Sequence, residues 1–435
     1  MKFPDIPALY SLFKKFPAVT TDSRKAAAGT IFFALKGDNF NGNEFAEAGL
    51  KQGCSYTVVD EERYYAGEKC ILVKDCLTAL QELATYHRQQ LAIPFIAITG
   101  SNGKTTTKEF INSILSQKYT VLATSGNLNN HIGVPLTVLS VTADVEIAII
   151  EMGANHTGEI AMLCEIARPD YGLITNIGRA HIGEFGSVED IVKAKTEMYG
   201  FLKNSGGKVF INSADELLLS KAAGIGQIKY GSMPDDFCVC KLTDANPFLK
   251  VEYQGVQITS QVIGKYNFEN IAAAVCIAKY FKVDTGKIKK AIEEYVPSNN
   301  RSQIVRTQKN TLVLDAYNAN PSSLKAAIEN FYEMKGERKW LILGDMRELG
   351  KYELEEHSNI IRLIAEKKFR DVVLVGSVFS NAVSEMKPSS FTPLLFSDSD
   401  ALAARLKAEP LCKDSSLILI KGSRGIKLEK VVEFL

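Results

Sequence analysis

The stretch that most constrains this chain is the junction over residues 94–117. Residues 94–99, PFIAIT, form a continuous apolar run closed by a threonine, the pattern of a parallel strand buried on both faces. Thr99-Gly100-Ser101-Asn102-Gly103-Lys104-Thr105-Thr106-Thr107 follows, and residues 105–117 read as a helix. A glycine-rich turn between a buried strand and a helix start lets backbone N–H groups close on phosphate oxygens, with the helix N-terminus adding positive potential. Lys104 would reach the β- and γ-phosphates of a nucleotide, and Thr105 would offer its hydroxyl to Mg²⁺. Ile98 stands where the longer phosphate-loop pattern has its first glycine, so this is the shorter G-x-x-G-K-T form.

Around that junction the chain reads as three α/β units. A length of 435 residues at about 150 per domain predicts the same number. Residues 1–87 hold expected strands at 30–35 and 56–60, a short helix at 44–52 and a helix from 77 to 91 leading out. Residues 88–298 alternate strand and helix, with further strands at 119–123, 146–150, 171–175 and 208–212. That rhythm predicts a doubly wound parallel sheet. Residues 237–264 interrupt it with two or three strands expected to add in antiparallel fashion, before helices at 265–281 and 284–295. The turn-rich Pro297-Ser298-Asn299-Asn300 marks the next boundary. Residues 299–435 show a third α/β rhythm, with strands at 311–315, 340–343, 372–375 and 417–420 and helices at 322–334 and 354–367.

Bulk chemistry narrows the partners. Lys plus Arg is 51 and Asp plus Glu is 50, so net charge is +1. Binding of nucleic acid or anionic membrane by general electrostatics is not expected. The N-terminus from Met1 through Lys2 and Phe3 lacks a signal-like apolar core, and no apolar run spans a bilayer. The expected compartment is the cytoplasm, without membrane insertion. The eight cysteines then read as reduced packing residues.

Ligands of such sheets sit at the carboxyl ends of the strands. Glu151 falls just past the expected strand 146–150, and Asn176 just past 171–175, with His181 shortly after. Glu151 suits a hard cation such as the Mg²⁺ of bound ATP, or is a solvated charge at a strand end. His181 is a ligand or a hydrogen-bonded structural histidine. Lys193 and Lys195 read, on composition alone, as surface lysines.

Several strings resemble the Mur ligases: TGSNGKTTTKE from Thr99, EMGANHTGEI from Glu151, ITNIGRAHIGEFGS from Ile174, GKYNFENIAAA from Gly264, DAYNANPSS from Asp315, LGDMRELG from Leu343 and KGSRG from Lys421. The YNANP and LGDMRELG strings point to the member that adds D-alanyl-D-alanine to a UDP-linked N-acetylmuramoyl tripeptide. The resemblance implies a small N-terminal α/β domain gripping the UDP end, a central P-loop, ATPase-like parallel-sheet domain, and a Rossmann-like C-terminal domain. ATP and two Mg²⁺ ions are the implied cofactors, and the chain is expected to act as a monomer on small molecules.

Residue by residue, the resemblance gives Gly100, Ser101, Asn102, Gly103, Lys104, Thr105 and Thr106 to the nucleotide, with Asn267 and Asn270. Arg301 would reach the γ-phosphate, and Asp315, Tyr317 and Asn318 the ribose and adenine. Thr105 and Glu151 would hold the first ion. His181 would hold the second together with Lys195, implied to be carbamylated. Ser23 and Arg24, in Thr21-Asp22-Ser23-Arg24, match the uridine-side motif; a guanidinium fork there suits a diphosphate. Asn127, Asn129 and Asn130 match a substrate-facing loop, and Lys421 and Arg424 would contact carboxylate or phosphate. Tyr266 stands where the family often has histidine. Lys104, Lys195, His181 and Arg301 are thus the expected catalytic set. A folate-type ligase should lack the N-terminal unit, and the relative that adds the third peptide residue carries a DNPR motif absent from this sequence.

Overall fold

The computed structural model describes residues 4–298, 300–409, 411 and 415–435. The expected domain break at Asn299, the N-terminal readings on Met1, Lys2 and Phe3, and the cysteine reading for Cys412 lie outside the described residues.

Three parallel-sheet units follow one another. The first is a four-stranded sheet ordered Ala18–Thr20, Thr30–Phe33, Tyr56–Val59, Cys70–Leu72, parallel throughout. The helix Ile6–Lys15, unforeseen from the sequence, is capped by the Asp5 carboxylate, which accepts from Ala8 N. The helix expected at 44–52 splits into a 3₁₀ turn, Gly42–Phe45, and a short α-helix, Ala46–Lys51. Asn41 caps the 3₁₀ turn, its side chain accepting from Asn43 N.

The helix Cys76–Gln89 joins this unit to the next, and the expected 87/88 break falls in its last turn. Arg88 is buried there. Its guanidinium donates to the carbonyls of Leu91, Ala167 and Arg168 and to Asp170 Oδ2, and stacks 4.0 Å over the Phe95 ring. Truncating it would strand three carbonyls. Arg88→Ala is therefore expected to cost about 2–3 kcal/mol, read as a lower midpoint in denaturant at unchanged slope.

The central sheet has nine strands. Seven run parallel in the order Cys238–Asp244, Gly226–Gly231, Lys208–Asn212, Tyr171–Ile174, Phe95–Thr99, Ile147–Glu151, Val121–Ala123. The addition over 237–264 is only partly antiparallel. Cys238–Asp244 joins the sheet in parallel, and Phe248–Tyr253 and Val256–Ile263 then fold back as antiparallel hairpins. The strand Gly226–Gly231, missed in the sequence for its sparse apolar pattern, makes that parallel edge. The phosphate-loop helix Lys104–Leu115 packs on the apolar helix Phe268–Tyr280 across one sheet face.

The third sheet has six strands, ordered Gln303–Arg306, Thr311–Leu314, Leu417–Lys421, Lys339–Gly344, Asp371–Val375, Leu394–Phe396. Only the first pair is antiparallel. The last strand in sequence lies near the middle, which brings Lys421 beside Asp315 at the carboxyl ends of their strands. The seven described cysteines are buried and unpaired as disulfides. Among the described residues no helix is long and apolar enough to cross a membrane.

Candidate active site

The carboxyl ends of the central strands meet the start of the C-terminal domain around a cleft of about 440 Å³. The phosphate loop forms its floor. Gly100 and Gly103 are required there sterically. A Cβ on Gly100 (φ +137°) would sit 2.0 Å from Thr175 Oγ1, and one on Gly103 (φ +80°) 2.5 Å from Asn270 Oδ1. Loop shape is set from the neighbouring strand: Asn176 Oδ1 accepts from Asn102 N at 3.1 Å, and Ser101 Oγ donates to Gly178 O at 3.1 Å. Lys104 Nζ donates to Gly100 O at 2.7 Å and Ser101 O at 3.4 Å, so its ammonium is folded over the loop. Burial lowers its pKa, opposed by Glu151 and reinforced by Arg301.

Glu151 ends the strand Ile147–Glu151 rather than following it, and is 2% exposed. The reading of a solvated charge fails on that burial. Its Oε1 accepts from Asn129 Nδ2 at 2.8 Å and Thr105 Oγ1 at 3.2 Å. Its Oε2 is buried with no hydrogen-bond partner, and the nearest cation, Lys108 Nζ, stands 4.0 Å away. A buried carboxylate oxygen left unsatisfied beside a threonine hydroxyl at a phosphate loop fits a hard cation. Among the described residues no group of three or more His, Cys, Asp or Glu forms a ready-made metal cage. Sparse protein ligation suits Mg²⁺, which keeps waters and takes substrate phosphates.

Asn267 and Asn270 are buried and bonded in series. Thr107 Oγ1 donates to Asn270 Oδ1 at 3.0 Å, Asn270 Nδ2 to Asn267 Oδ1 at 2.7 Å, and Asn267 Nδ2 to Ser302 Oγ at 3.2 Å. This chain ties the phosphate-loop helix to the entry of the C-terminal domain. Arg301 lies there, its guanidinium 3.6 Å from the centroid of the Tyr317 ring and its buried Nε unpaired. Arg424 approaches the same ring at 5.2 Å from an exposed position. Lys421 is 2% exposed and donates to Asp315 Oδ2 at 2.5 Å and Asn318 O at 3.1 Å. Its ammonium is thus committed to Asp315, the residue expected at the nucleotide, and faces away from bulk solvent.

Lys195 departs most from its composition-based reading. The helix Val188–Ser205 turns it inward to 2% exposure, while Lys193 remains outside. Its Nζ donates to Ala154 O at 3.3 Å and lies 5.4 Å over the Phe185 ring. Among the described residues no carboxylate oxygen comes within 4.0 Å of it. Burial, then the charge of Lys104, lowers its pKa to about 7. His181 lines the cleft, and its Nδ1 is 2.7 Å from Glu348 Oε2 of the C-terminal domain. That pairing holds Glu348 below the usual carboxylate range.

Most of the expected site residues converge on this cleft: Ser101 to Thr106, Asn127, Asn129, Glu151, His181, Asn267, Asn270, Arg301, Asp315, Tyr317, Asn318 and Lys421 all line it. Asn130 points elsewhere, its Oδ1 accepting from Ile132 N and Gly133 N to cap the next helix. Ser23 and Arg24 lie in the N-terminal domain outside the cleft; Arg24 forks onto Asp22 with two 2.8 Å bonds and is largely exposed. Asn320 and Ser322 are among the lining residues that had no assigned role. Asn320 Nδ2 donates to Asn102 Oδ1 at 2.7 Å, and Asn102 Nδ2 donates to Ser322 Oγ at 3.1 Å, so the phosphate loop is bonded directly to the C-terminal domain. Asn320-Pro321-Ser322-Ser323 carried the signal: an Asn cap followed by Pro at the first helical position starts the helix Pro321–Glu333.

A phosphate loop closed from above by a second domain bearing an arginine defines the class: an enzyme that uses a nucleoside triphosphate between two closing domains. Profiles of Mur ligase domains match the chain in sequence order: the Mur ligase family catalytic domain over residues 15–88, the Mur ligase middle domain over 98–278, and the Mur ligase glutamate ligase domain over 300–424. The chain belongs to the Mur ligase family. Among its relatives is the UDP-N-acetylmuramoyl-tripeptide–D-alanyl-D-alanine ligase of Bacillus subtilis, 35% identical over 95% of this chain and 92% of that protein. The enzyme of the same name from Escherichia coli is 34% identical over 96% and 93%. The fold superposes on a crystal structure of MurF from Acinetobacter baumannii with a TM-score of 0.84, at 30% identity over 96% of this chain and 92% of that one. MurF ligase from Thermotoga maritima in complex with ADP gives 0.82, at 26% identity over 96% of each.

Proposed function

We propose that this chain joins D-alanyl-D-alanine to UDP-N-acetylmuramoyl-tripeptide in peptidoglycan precursor synthesis, using ATP and acting as a cytoplasmic monomer. The observation that carries the reading is the single cleft in which Lys104, Glu151 and Arg301, from two domains, face one another.

The chemistry follows from what the two substrates lack. A carboxylate is a poor electrophile, so the tripeptide's terminal carboxylate attacks the γ-phosphorus of ATP, and the bond to the ADP oxygen breaks. The acyl phosphate formed carries a good leaving group. The dipeptide amine attacks its carbonyl carbon, loses a proton, and phosphate departs with the C–O electron pair. The first step brings two anions together, which the protein must offset. Lys104 and the loop N–H groups would take the β- and γ-phosphates, and Arg301, lifted from Tyr317, the γ-phosphate. Asn267 and Asn270 would fix the loop against the nucleotide, and Asp315, Tyr317 and Asn318 would take the ribose and adenine. Mg²⁺ held by Thr105 and Glu151 supplies further neutralisation when bound.

Lys195 supports a second cation position. Its amine is buried, has the Ala154 carbonyl and the face of the Phe185 ring as neighbours, and a pKa of about 7 leaves much of it neutral. A neutral amine adds to CO₂: the N–C bond forms, a C=O electron pair moves to oxygen, and the nitrogen's proton leaves to solvent. The carbamate would be an anion able to share a second Mg²⁺ with His181. Ser23 and Arg24 would take the UDP end, Asn127 and Asn129 would face the peptide while Asn130 shapes their loop by capping the next helix, and Lys421 with Arg424 would support the C-terminal side of the cleft.

The test is phosphate release with a panel of UDP-muramoyl peptides and amines. Release is expected only with the tripeptide and D-alanyl-D-alanine together. Release that ignores the dipeptide would point instead to a nucleotide-driven switch.

A further inference from the structure

The string LGDMRELG gains no role from nucleotide or peptide binding, yet it builds a clasp across the domain boundary. Gly183 N donates to Glu348 O at 2.9 Å. The two backbones approach so closely that a Cβ on Gly183 would lie 2.5 Å from Gly350 N. Tyr352 Oη donates to Gly186 O at 3.2 Å, and Arg179 is ion-paired with Glu356. Within this clasp His181 (φ +57°) and Glu348 (φ +65°) are both non-glycine residues in the left-handed region. Each such placement is strained and persists where the surroundings over-determine it. The two strained residues meet through their side chains. His181 Nδ1 is shielded from solvent, and the polar group facing it is Glu348 Oε2 at 2.7 Å, in reach though out of line for an ideal hydrogen bond. Among the described residues nothing bonds His181 Nε2, and the histidine lines the cleft.

We propose that Glu348 is the positioning residue for His181: its carboxylate holds the ring with Nδ1 toward the C-terminal domain and Nε2 toward the cleft, so that the histidine is presented only while the two domains are docked. The inference rests on the reading of His181 as a cation ligand. It explains why the ligand sits on a loop whose conformation the other domain dictates. A carboxylate behind an imidazole fixes its tautomer and the orientation of its ring. Docking of the C-terminal domain then completes the cation position as well as covering the nucleotide.

The test uses the full chain. ¹⁵N-histidine NMR on the metal-free protein at about pH 8 should show His181 with Nδ1 protonated, its signal assigned by its loss in His181→Asn. Glu348→Ala should move it toward the Nε2-protonated form, and Glu348→Gln, which keeps an acceptor oxygen, should largely preserve it. In turnover, Glu348→Ala should lower kcat about 10- to 100-fold, with KM for ATP changed less than about threefold and partial recovery in Glu348→Gln. Tyr352→Phe, which loosens the clasp without touching His181, should keep near-normal kcat. An unmoved His181 signal in Glu348→Ala, or an equal loss in Tyr352→Phe, would overturn the positioning role. Full activity in His181→Asn would instead overturn the ligand reading, whatever the NMR result.

Discussion

Lys104→Ala should lose ATP-dependent ligation by at least about 10²- to 10³-fold, the cost of removing one preorganised charge from an anionic transition state. The ammonium is already folded over the loop, bonded to the carbonyls of Gly100 and Ser101. A triphosphate entering the cleft exchanges those weak acceptors for charged oxygens. Arg301 cannot substitute, because it comes from the other domain and starts stacked on Tyr317. The fold should survive, since the ammonium is disfavoured by its own burial and pairs with no carboxylate among the described residues. Coupled phosphate release, with nucleotide affinity measured separately, checks this. Near-wild-type ligation in the variant would sink the assignment of the loop.

Lys195→Ala should lower activity about 10- to 100-fold, in line with the loss of a metal-site group. Activity should partly return with added acetate or formate. The truncated side chain leaves room beside Phe185 and the Ala154 carbonyl for a small acid, which resupplies the anion the carbamate would provide. Neutral amine is the form that captures CO₂, and its fraction rises as pH passes about 7. Stripping bicarbonate from the wild-type buffer should therefore cost more activity at pH 6 than at pH 8. Normal turnover by Lys195→Ala, or loss without any response to short acids, would remove the carbamate from the mechanism.

Much of the fold was legible because the information was local. The run PFIAIT, the glycines after it and the helix pattern from Thr105 name a strand, a turn and a helix without reference to anything distant. The structure places them as Phe95–Thr99 and Lys104–Leu115. The failures are elements whose reason lies elsewhere. Gly226–Gly231 has little apolar pattern and is a strand because Lys208–Asn212 pairs with it. For Glu151 the sequence leaves a cation ligand and a solvated strand-end charge both open; the register opposite Ile98 draws it into the sheet and buries it, which removes the second.

By itself the sequence determined three α/β units, a phosphate loop with Lys104 and Thr105, and, through its motifs, the family. Period and turn chemistry act over a few residues, so they survive without knowledge of the fold. Only the tertiary structure decided what the other charged residues meet. It turned Lys195 inward against Phe185, paired Lys421 with Asp315, left Glu151 Oε2 unsatisfied, bonded Asn102 to Asn320, and brought Glu348 to His181. Three of those pairs, Lys421 with Asp315, Asn102 with Asn320 and Glu348 with His181, lie more than a hundred residues apart. Burial and pairing, which set each group's charge state and reach, are properties of that long-range packing, which no local pattern records.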